Sequence, residues 1–195
     1  TARKGMIAIM NIMIVGVGGQ GTLLASRIIG KVATMEGYDV KVSEVHGMSQ
    51  RGGSVITYVR YGKKVYSPII TEKNADIVLA FENLEALRAL SFVKDGGKII
   101  VNTQEMLPMP VITGAAEYPQ GIIEEISKNH DVTAIDALSL AKEAGTAKAA
   151  NVVLIGNLAK HSEIAKKEWI EAIKETVPPK FLDVNIKAFE KGYAI

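Results

Sequence analysis

The hydrophobic pattern alternates between short apolar runs and helical spacing. Asn11 to Val15 is a nearly unbroken apolar run, as expected of a strand buried on both faces of a parallel sheet. From Thr22 to Met35 the residues Leu23, Leu24, Ile28, Val32 and Met35 recur at helical spacing, and Gly37 supplies the stop. Val40 to Val45 alternates as a second strand, and His46 to Gly53 is a polar loop dense in glycine. Ser54 to Arg60 and Lys64 to Tyr66 predict a hairpin turning at Tyr61-Gly62-Lys63. Ala75 to Phe81 reads as another buried strand, with Asn83 as the N-cap of a short helix after it.

Asp95-Gly96-Gly97 then turns the chain into a strand over Lys98 to Val101. Leu107 to Pro119 reads as an irregular connection with a short strand at Val111-Ile112. Asp131 to Ile135 reads as the last strand, followed by a helix from Asp136-Ala137 to Ala144. Beyond Gly145 the spacing is helical over Lys148 to Lys160, Ile164 to Thr176 and Val184 to Phe189, with Pro178-Pro179 between the last two. This order predicts an α/β fold: a three-layer single domain over 10–195 with a mostly parallel sheet, a Rossmann-like start and helical packing at the C-terminus.

Composition narrows the function. A chain of 195 residues with 48% hydrophobic and 23% charged residues is globular and suits one domain. Its mean hydropathy of +0.16 points to an apolar face held for a partner. The net charge of +2 is dispersed along the chain, which excludes the basic stripe of a nucleic-acid binder. The absence of cysteine removes disulfides, thiolate zinc sites, cysteine nucleophiles and cysteine-ligated iron–sulfur clusters. His46, His130 and His161 lie far apart in sequence, so no metal centre is expected. Arg3-Lys4 ahead of an apolar run to Val17 imitates a signal peptide, but Asn11 interrupts the run and no Ala-x-Ala pattern follows. The run is also shorter than the roughly 20 residues of a membrane span. A cytoplasmic protein with no membrane contact is expected, with residues 1–9 read as an upstream extension.

Two glycine-rich segments carry the candidate chemistry. Gly16-Val17-Gly18-Gly19-Gln20-Gly21 joins the first strand to the first helix. Glycine permits the tight turn and a close approach, and the first N–H groups of the helix favour an anion, with Thr22 adding a hydroxyl. Glu44, at the end of the second strand, stands about where a dinucleotide fold places its ribose-binding acid. The competing reading is that these glycines serve only strand–helix packing or the approach of another subunit. The second segment is His46-Gly47-Met48-Ser49-Gln50-Arg51-Gly52-Gly53. Arg51 offers a planar five-donor fork suited to phosphate or carboxylate, and Ser49 and Gln50 add neutral donors. A surface loop whose arginine pairs with a neighbouring acid is the bland alternative. Both loops are placed at the carboxyl edge of the sheet, lining one crevice. His46 reads as a structural hydrogen-bonder and Trp169 as core. Asp131, Asp136 and His130 suggest acid–base chemistry, of which helix capping explains Asp136. No nucleophile elbow, P-loop lysine or metal-ligand spacing is present.

These two segments, together with Ala149-Ala150-Asn151 and Gly156, resemble the gamma-type subunit or domain of 2-oxoacid:ferredoxin oxidoreductases. The His46–Gly53 stretch is most similar to the indolepyruvate branch, and pyruvate-type gamma subunits are less alike there. The likeness runs from about Asn11 to Tyr193. It implies a non-autonomous subunit of an enzyme that oxidatively decarboxylates aryl pyruvates or other 2-oxoacids to acyl-CoA and reduces ferredoxin. It also implies that thiamine diphosphate, magnesium and iron–sulfur clusters belong to a large partner subunit, with none of them on this chain. Coenzyme A is then the co-substrate that this chain helps to bind. Two readings stay open beside it: a stand-alone NAD(P)- or flavin-dependent oxidoreductase, and a ligand-free structural subunit.

Overall fold

A computed structural model describes residues 9–47 and 52–195. Six strands form one sheet: β1 (Ile9–Val17), β2 (Asp39–His46), β3 (Ser54–Gly62), β4 (Ala75–Ala80), β5 (Val93–Asn102) and β6 (Asp131–Ile135). Their order across the sheet is β2-β3-β1-β4-β5-β6. β1, β4, β5 and β6 pair in parallel, whereas β3 runs antiparallel to both β1 and β2. β2 therefore points the same way as β1, and five of the six strands share one direction.

Period-two alternation divides the sheet's side chains between two cores. Ile12 and Ile14 of β1 and Leu79 of β4 face one side, and Met13, Val15 and Val78 face the other. The first face packs under α1 (Thr22–Met35), α5 (Ala137–Ala144), α6 (Ala150–Lys160), α7 (Lys166–Thr176) and α8 (Leu182–Ala194). The second is covered by the shorter α2 (Asn83–Arg88) and α4 (Ile122–Ile126), with α3 (Met109–Ile112) at its margin. The result is the three-layer α/β domain that the pattern predicts. α6 is the central helix: every residue from Asn151 to Ala159 is buried, Asn157 included, so its apolar side chains surround the axis rather than form one stripe. Trp169 is fully buried, and its indole Nε1 donates to Ser162 Oγ at 3.1 Å.

The structure corrects four local expectations. The hairpin partner of β3 is β2, across the glycine loop, and 64–66 forms no strand. Side chains pin that segment instead of a ladder. Arg60 donates to the carbonyls of Ser67 and Ile69, and Val65 N donates to Asp39 Oδ2. The Lys41 ammonium and that N–H hold the Asp39 carboxyl down at about 2. Asp95-Gly96-Gly97 lies inside β5 as an irregularity, where the register against β4 jumps between Ala75 and Ile77. Val111 and Ile112 end a short helix, because prolines at its start fix a helical φ and lack the N–H that a first turn leaves unpaired. The N-cap of α2 is Glu82, whose carboxylate accepts from Glu85 N, and not Asn83.

Candidate functional site

The carboxyl ends of β1 and β4 lie side by side, with α1 leaving toward one face and α2 toward the other. Open α/β sheets bind ligands at such a switch in winding. A recess of about 340 Å³ occupies it, lined by Gly18, Gly19, Gln20, Phe81, Asn102 and Asn151 among others. A second recess of about 370 Å³ lies on the other side of the turn, between Gly21, Thr22, Leu23, Glu44 and His46.

The glycine turn between them is tightly defined. Gln20 N donates to Val17 O at 3.1 Å, while the Gln20 side chain accepts from Val17 N at 2.8 Å and donates to Phe81 O at 3.0 Å. Gln20 thus ties the β1 turn to the end of β4, and both ends of its amide are occupied within the chain. A Cβ at Gly16 would stand 2.9 Å from Gln20 Oε1, so this glycine serves close packing. Gly19 and Gly21 have φ of 103° and 86°, a region costly for other residues.

The second glycine segment joins the first directly. Gly18 N donates to Gly53 O at 2.9 Å and Gly52 N to Gly18 O at 3.4 Å. The end of one loop is thereby zipped to the turn of the other, at the single edge where the sequence places both. Met48, Ser49, Gln50 and Arg51 lie outside the described residues. Gly18 N–H and Gln20 N–H are used internally, but those of Gly19 and Gly21 make no hydrogen bond among the described residues. Neither do the first N–H groups of α1, whose N-cap Gly21 brings no side chain. Thr22 is buried at the wall of the second recess. The edge therefore offers free N–H donors at the positive end of a 14-residue helix, which suits an anion.

Residues outside the two glycine segments build the rest. Asn102, at the tip of β5, donates to Phe81 O at 3.2 Å and accepts from Ala137 N at 3.2 Å, which fixes the floor of the switch recess. A polar residue ending the apolar run Ile99–Val101 was its only signal in the sequence. Asn151 Nδ2 donates to Gly21 O at 3.3 Å and ties the start of α6 to the turn. Behind Ser54 lies a buried acidic pair with no sequence signal. Glu82 accepts from Tyr118 Oη at 2.6 Å and from Met106 N at 3.0 Å. Glu85 accepts from Ser54 Oγ and from the Arg88 guanidinium. Burial, then the neighbouring Glu82, pushes the Tyr118 phenol above its ordinary range, so it stays a proton donor to Glu82. These contacts hold segment 104–110 beside the glycine zip.

Two of the acid–base candidates, Asp131 and Asp136, are taken up structurally. Asp131 pairs with Lys98 at 2.8 Å, and Asp136 Oδ1 accepts from Ser139 N at 3.0 Å as the cap of α5. Glu44 is displaced from the ribose position of a dinucleotide fold. That role requires the strand next to β1, but β3 stands there, so the acid lies about 10 Å out, two strand spacings away. Its carboxylate accepts from Thr57 Oγ1 at 3.2 Å. The same carboxylate lines the second recess.

An α/β domain with a glycine-lined recess at the switch point of its sheet is the class of protein that fold and site define. Residues 11–195 match the family model described as pyruvate ferredoxin/flavodoxin oxidoreductase, and the chain belongs to that family. It is 46% identical over 189 residues to indolepyruvate oxidoreductase subunit IorB of Thermococcus kodakarensis, covering 93% of each chain. Identity to the pyruvate/ketoisovalerate oxidoreductases common subunit gamma of the same organism is 30% over 185 residues, covering 91% of this chain and 92% of the relative. Among solved structures, the gamma subunit of keto/oxoacid ferredoxin oxidoreductase from Geobacter sulfurreducens has TM-score 0.70 at 25% identity, over 95% of this chain and 96% of the other. The fold also recurs, at TM-score 0.67 and 19% identity, within 2-oxoglutarate:ferredoxin oxidoreductase from Magnetococcus marinus, where 95% of this chain matches 30% of that one.

Proposed function

We propose that the chain is the small subunit of an indolepyruvate-type 2-oxoacid:ferredoxin oxidoreductase and that its glycine edge receives the phosphates of coenzyme A. The complete enzyme converts a 2-oxoacid and coenzyme A to acyl-CoA and carbon dioxide, passing two electrons to ferredoxin. The observation that carries the binding role is the backbone zip between Gly18 and Gly52-Gly53. It brings free N–H donors and Gly52, the residue after Arg51, to one edge. Identity to IorB well above that to the pyruvate-type gamma subunit supports the aryl pyruvate branch.

The donor chemistry of this chain does not fit cysteine-ligated iron–sulfur clusters. It has no cysteine, and no three His, Asp or Glu side chains among the described residues form a metal-holding group. We assign thiamine diphosphate, magnesium and the iron–sulfur clusters to a large partner subunit, with ferredoxin as acceptor of the complex, working in the cytoplasm. No helix among the described residues is long and apolar enough to cross a membrane. This chain then contributes binding and orientation: backbone N–H groups and Arg51 neutralise phosphate, and Gln20 and Asn102 hold the turn rigid.

The test is titration of the purified, isotope-labelled chain with coenzyme A, read as amide shifts. Saturable shifts confined to 16–23 and 44–55 support the reading, and an unperturbed edge refutes it. Co-expression with the large thiamine subunit should give one complex with viologen-reducing activity, while this chain alone stays colourless and inactive.

A further inference from the structure

The roomiest cavity described here, about 510 Å³, is not at the glycine edge. It lies at the end of the helical layer, where the α5–α6 junction meets the α7–α8 junction and the first turn of α1. Leu24, Val177, Phe181 and Val184 give it an apolar lining. Phe181 is 47% exposed, so part of its ring is open at the mouth of the cavity. Three lysines, Lys148, Lys180 and Lys187, stand around this lining against a single acid, Asp183. None of the three forms an ion pair among the described residues, although ten other lysines do. The Lys180 ammonium sits 4.8 Å from the centroid of the Phe181 ring, which keeps a cation beside an aromatic face. Asn185, 8% exposed, lines the same cavity and spends its Nδ2 on Phe181 O at 2.8 Å. Its Oδ1 accepts no hydrogen bond among the described residues, which leaves an acceptor for a ligand N–H.

We propose that this cavity is a binding site for a planar aromatic carboxylate, its ring against Phe181 and Val184 and its carboxylate among the lysines. The volume falls in the range of small-molecule sites, and an apolar lining with few polar groups is their usual make-up. Charge selects the ligand class: a neutral aromatic would leave three cations unpaired, and a simple inorganic anion would leave the apolar lining wet. Lys148 also lines the switch recess. A ligand drawing Lys148 into the cavity removes a cation from the rim of that recess, so occupancy of one site weakens anion binding at the other.

The probe is indole-3-acetate, an aromatic carboxylate with a ring N–H and no 2-oxo group. Titrated into the isotope-labelled full chain, it should shift amides of 144–149 and 177–187 saturably, with 16–21 following only through Lys148. Lys180→Ala and Lys187→Ala should each weaken binding about 1.4- to fivefold, the range for exposed charged contacts. Lys180→Glu should weaken it further, and indole itself should bind far more weakly. The same titration with coenzyme A should shift the glycine edge, so failure of either site is read separately. Shifts confined to the glycine edge, absence of saturation at about 10 mM ligand, an affinity unchanged in the lysine variants, or coenzyme A shifting 177–187 instead would overturn the proposal.

Discussion

Glycine does opposite work in two regions of this molecule. At the carboxyl edge of β1, Gly19 and Gly21 take a left-handed backbone and Gly19 has no atom within 4 Å of where a Cβ would stand. Between α6 and α8, Gly156 and Gly192 have no such backbone need. A Cβ there would fall inside the van der Waals shell of Phe189 O or Val153 O. One region uses the missing side chain to leave backbone N–H groups open, the other to bring two helices into backbone contact. The lesson concerns reading: Gly19 and Gly156 look equally motif-like in sequence, and only the packing around each separates an open glycine from a packed one.

Breaking the packing side gives the largest effect. Gly192→Ala pushes a methyl into the backbone of α6, and α6 cannot retreat because it is buried on every face. The expected loss is at the upper end of overpacking, about 3 kcal/mol or more, or roughly 6–12 °C in Tm for a chain of this size. Thermal unfolding by circular dichroism measures it. A Tm within 2 °C of wild type, on the order of a single kcal/mol, would mean that the α6–α8 contact is not close.

Breaking the binding side should touch function more than stability. Arg51→Ala in the reconstituted complex removes a charge-assisted contact of about 1.5–3 kcal/mol. The coenzyme A KM should rise on the order of 10- to 100-fold while the KM for the oxoacid moves much less. Arg51→Lys recovers part of the loss, since a point charge cannot reproduce the guanidinium fork. Steady-state kinetics with each substrate varied in turn checks this, and an unchanged coenzyme A dependence in an intact complex removes Arg51 from the site.

Gly19→Ala separates the two uses of glycine at one position. The open space around it means that the cost is the left-handed backbone alone, about 1–2 kcal/mol or a few degrees in Tm. If the edge holds phosphate, the added methyl also stands between ligand and backbone, and coenzyme A affinity falls by more than that strain accounts for. A variant with lowered Tm and wild-type coenzyme A shifts would make Gly19 a turn residue only.

The layers of the fold were legible in the sequence because burial on both faces and helical spacing are strong periodic signals. Thr22–Met35 coincides with α1 residue for residue. What escaped was pairing. The apolar alternation of β3 says that it is a strand but not that it inserts antiparallel between β1 and β2, and that insertion moves Glu44 out of the ribose position. The glycine turn was legible at the site, since a turn between strand and helix leaves few alternatives. Its supports, Gln20 to Phe81 O and Asn151 to Gly21 O, span 61 and 130 residues of sequence, and no local pattern encodes such contacts.

The smallest effect compares two helix starts. α5 begins with its own carboxylate, Asp136, accepting from Ser139 N, whereas α1 begins at Gly21 with no side-chain cap and its first N–H groups make no hydrogen bond among the described residues. The bond from Ser139 lowers the Asp136 pKa below its ordinary value. A carboxylate depressed in the folded state stabilises fully above its unfolded pKa, and that contribution is lost as pH falls through the folded pKa. Asp136→Asn keeps a competent cap, so at pH 7 the Tm should move by only about 1–2 °C, within a fraction of a kcal/mol. As pH falls below about 4, the ordinary aspartate value, the wild type should lose stability that the asparagine variant retains, and the two curves should converge. Parallel curves across that window would mean that Asp136 is too well solvated to contribute. Coenzyme A should leave this pair of curves equally spaced at neutral pH, because the ligand belongs at the start of α1 and not at that of α5.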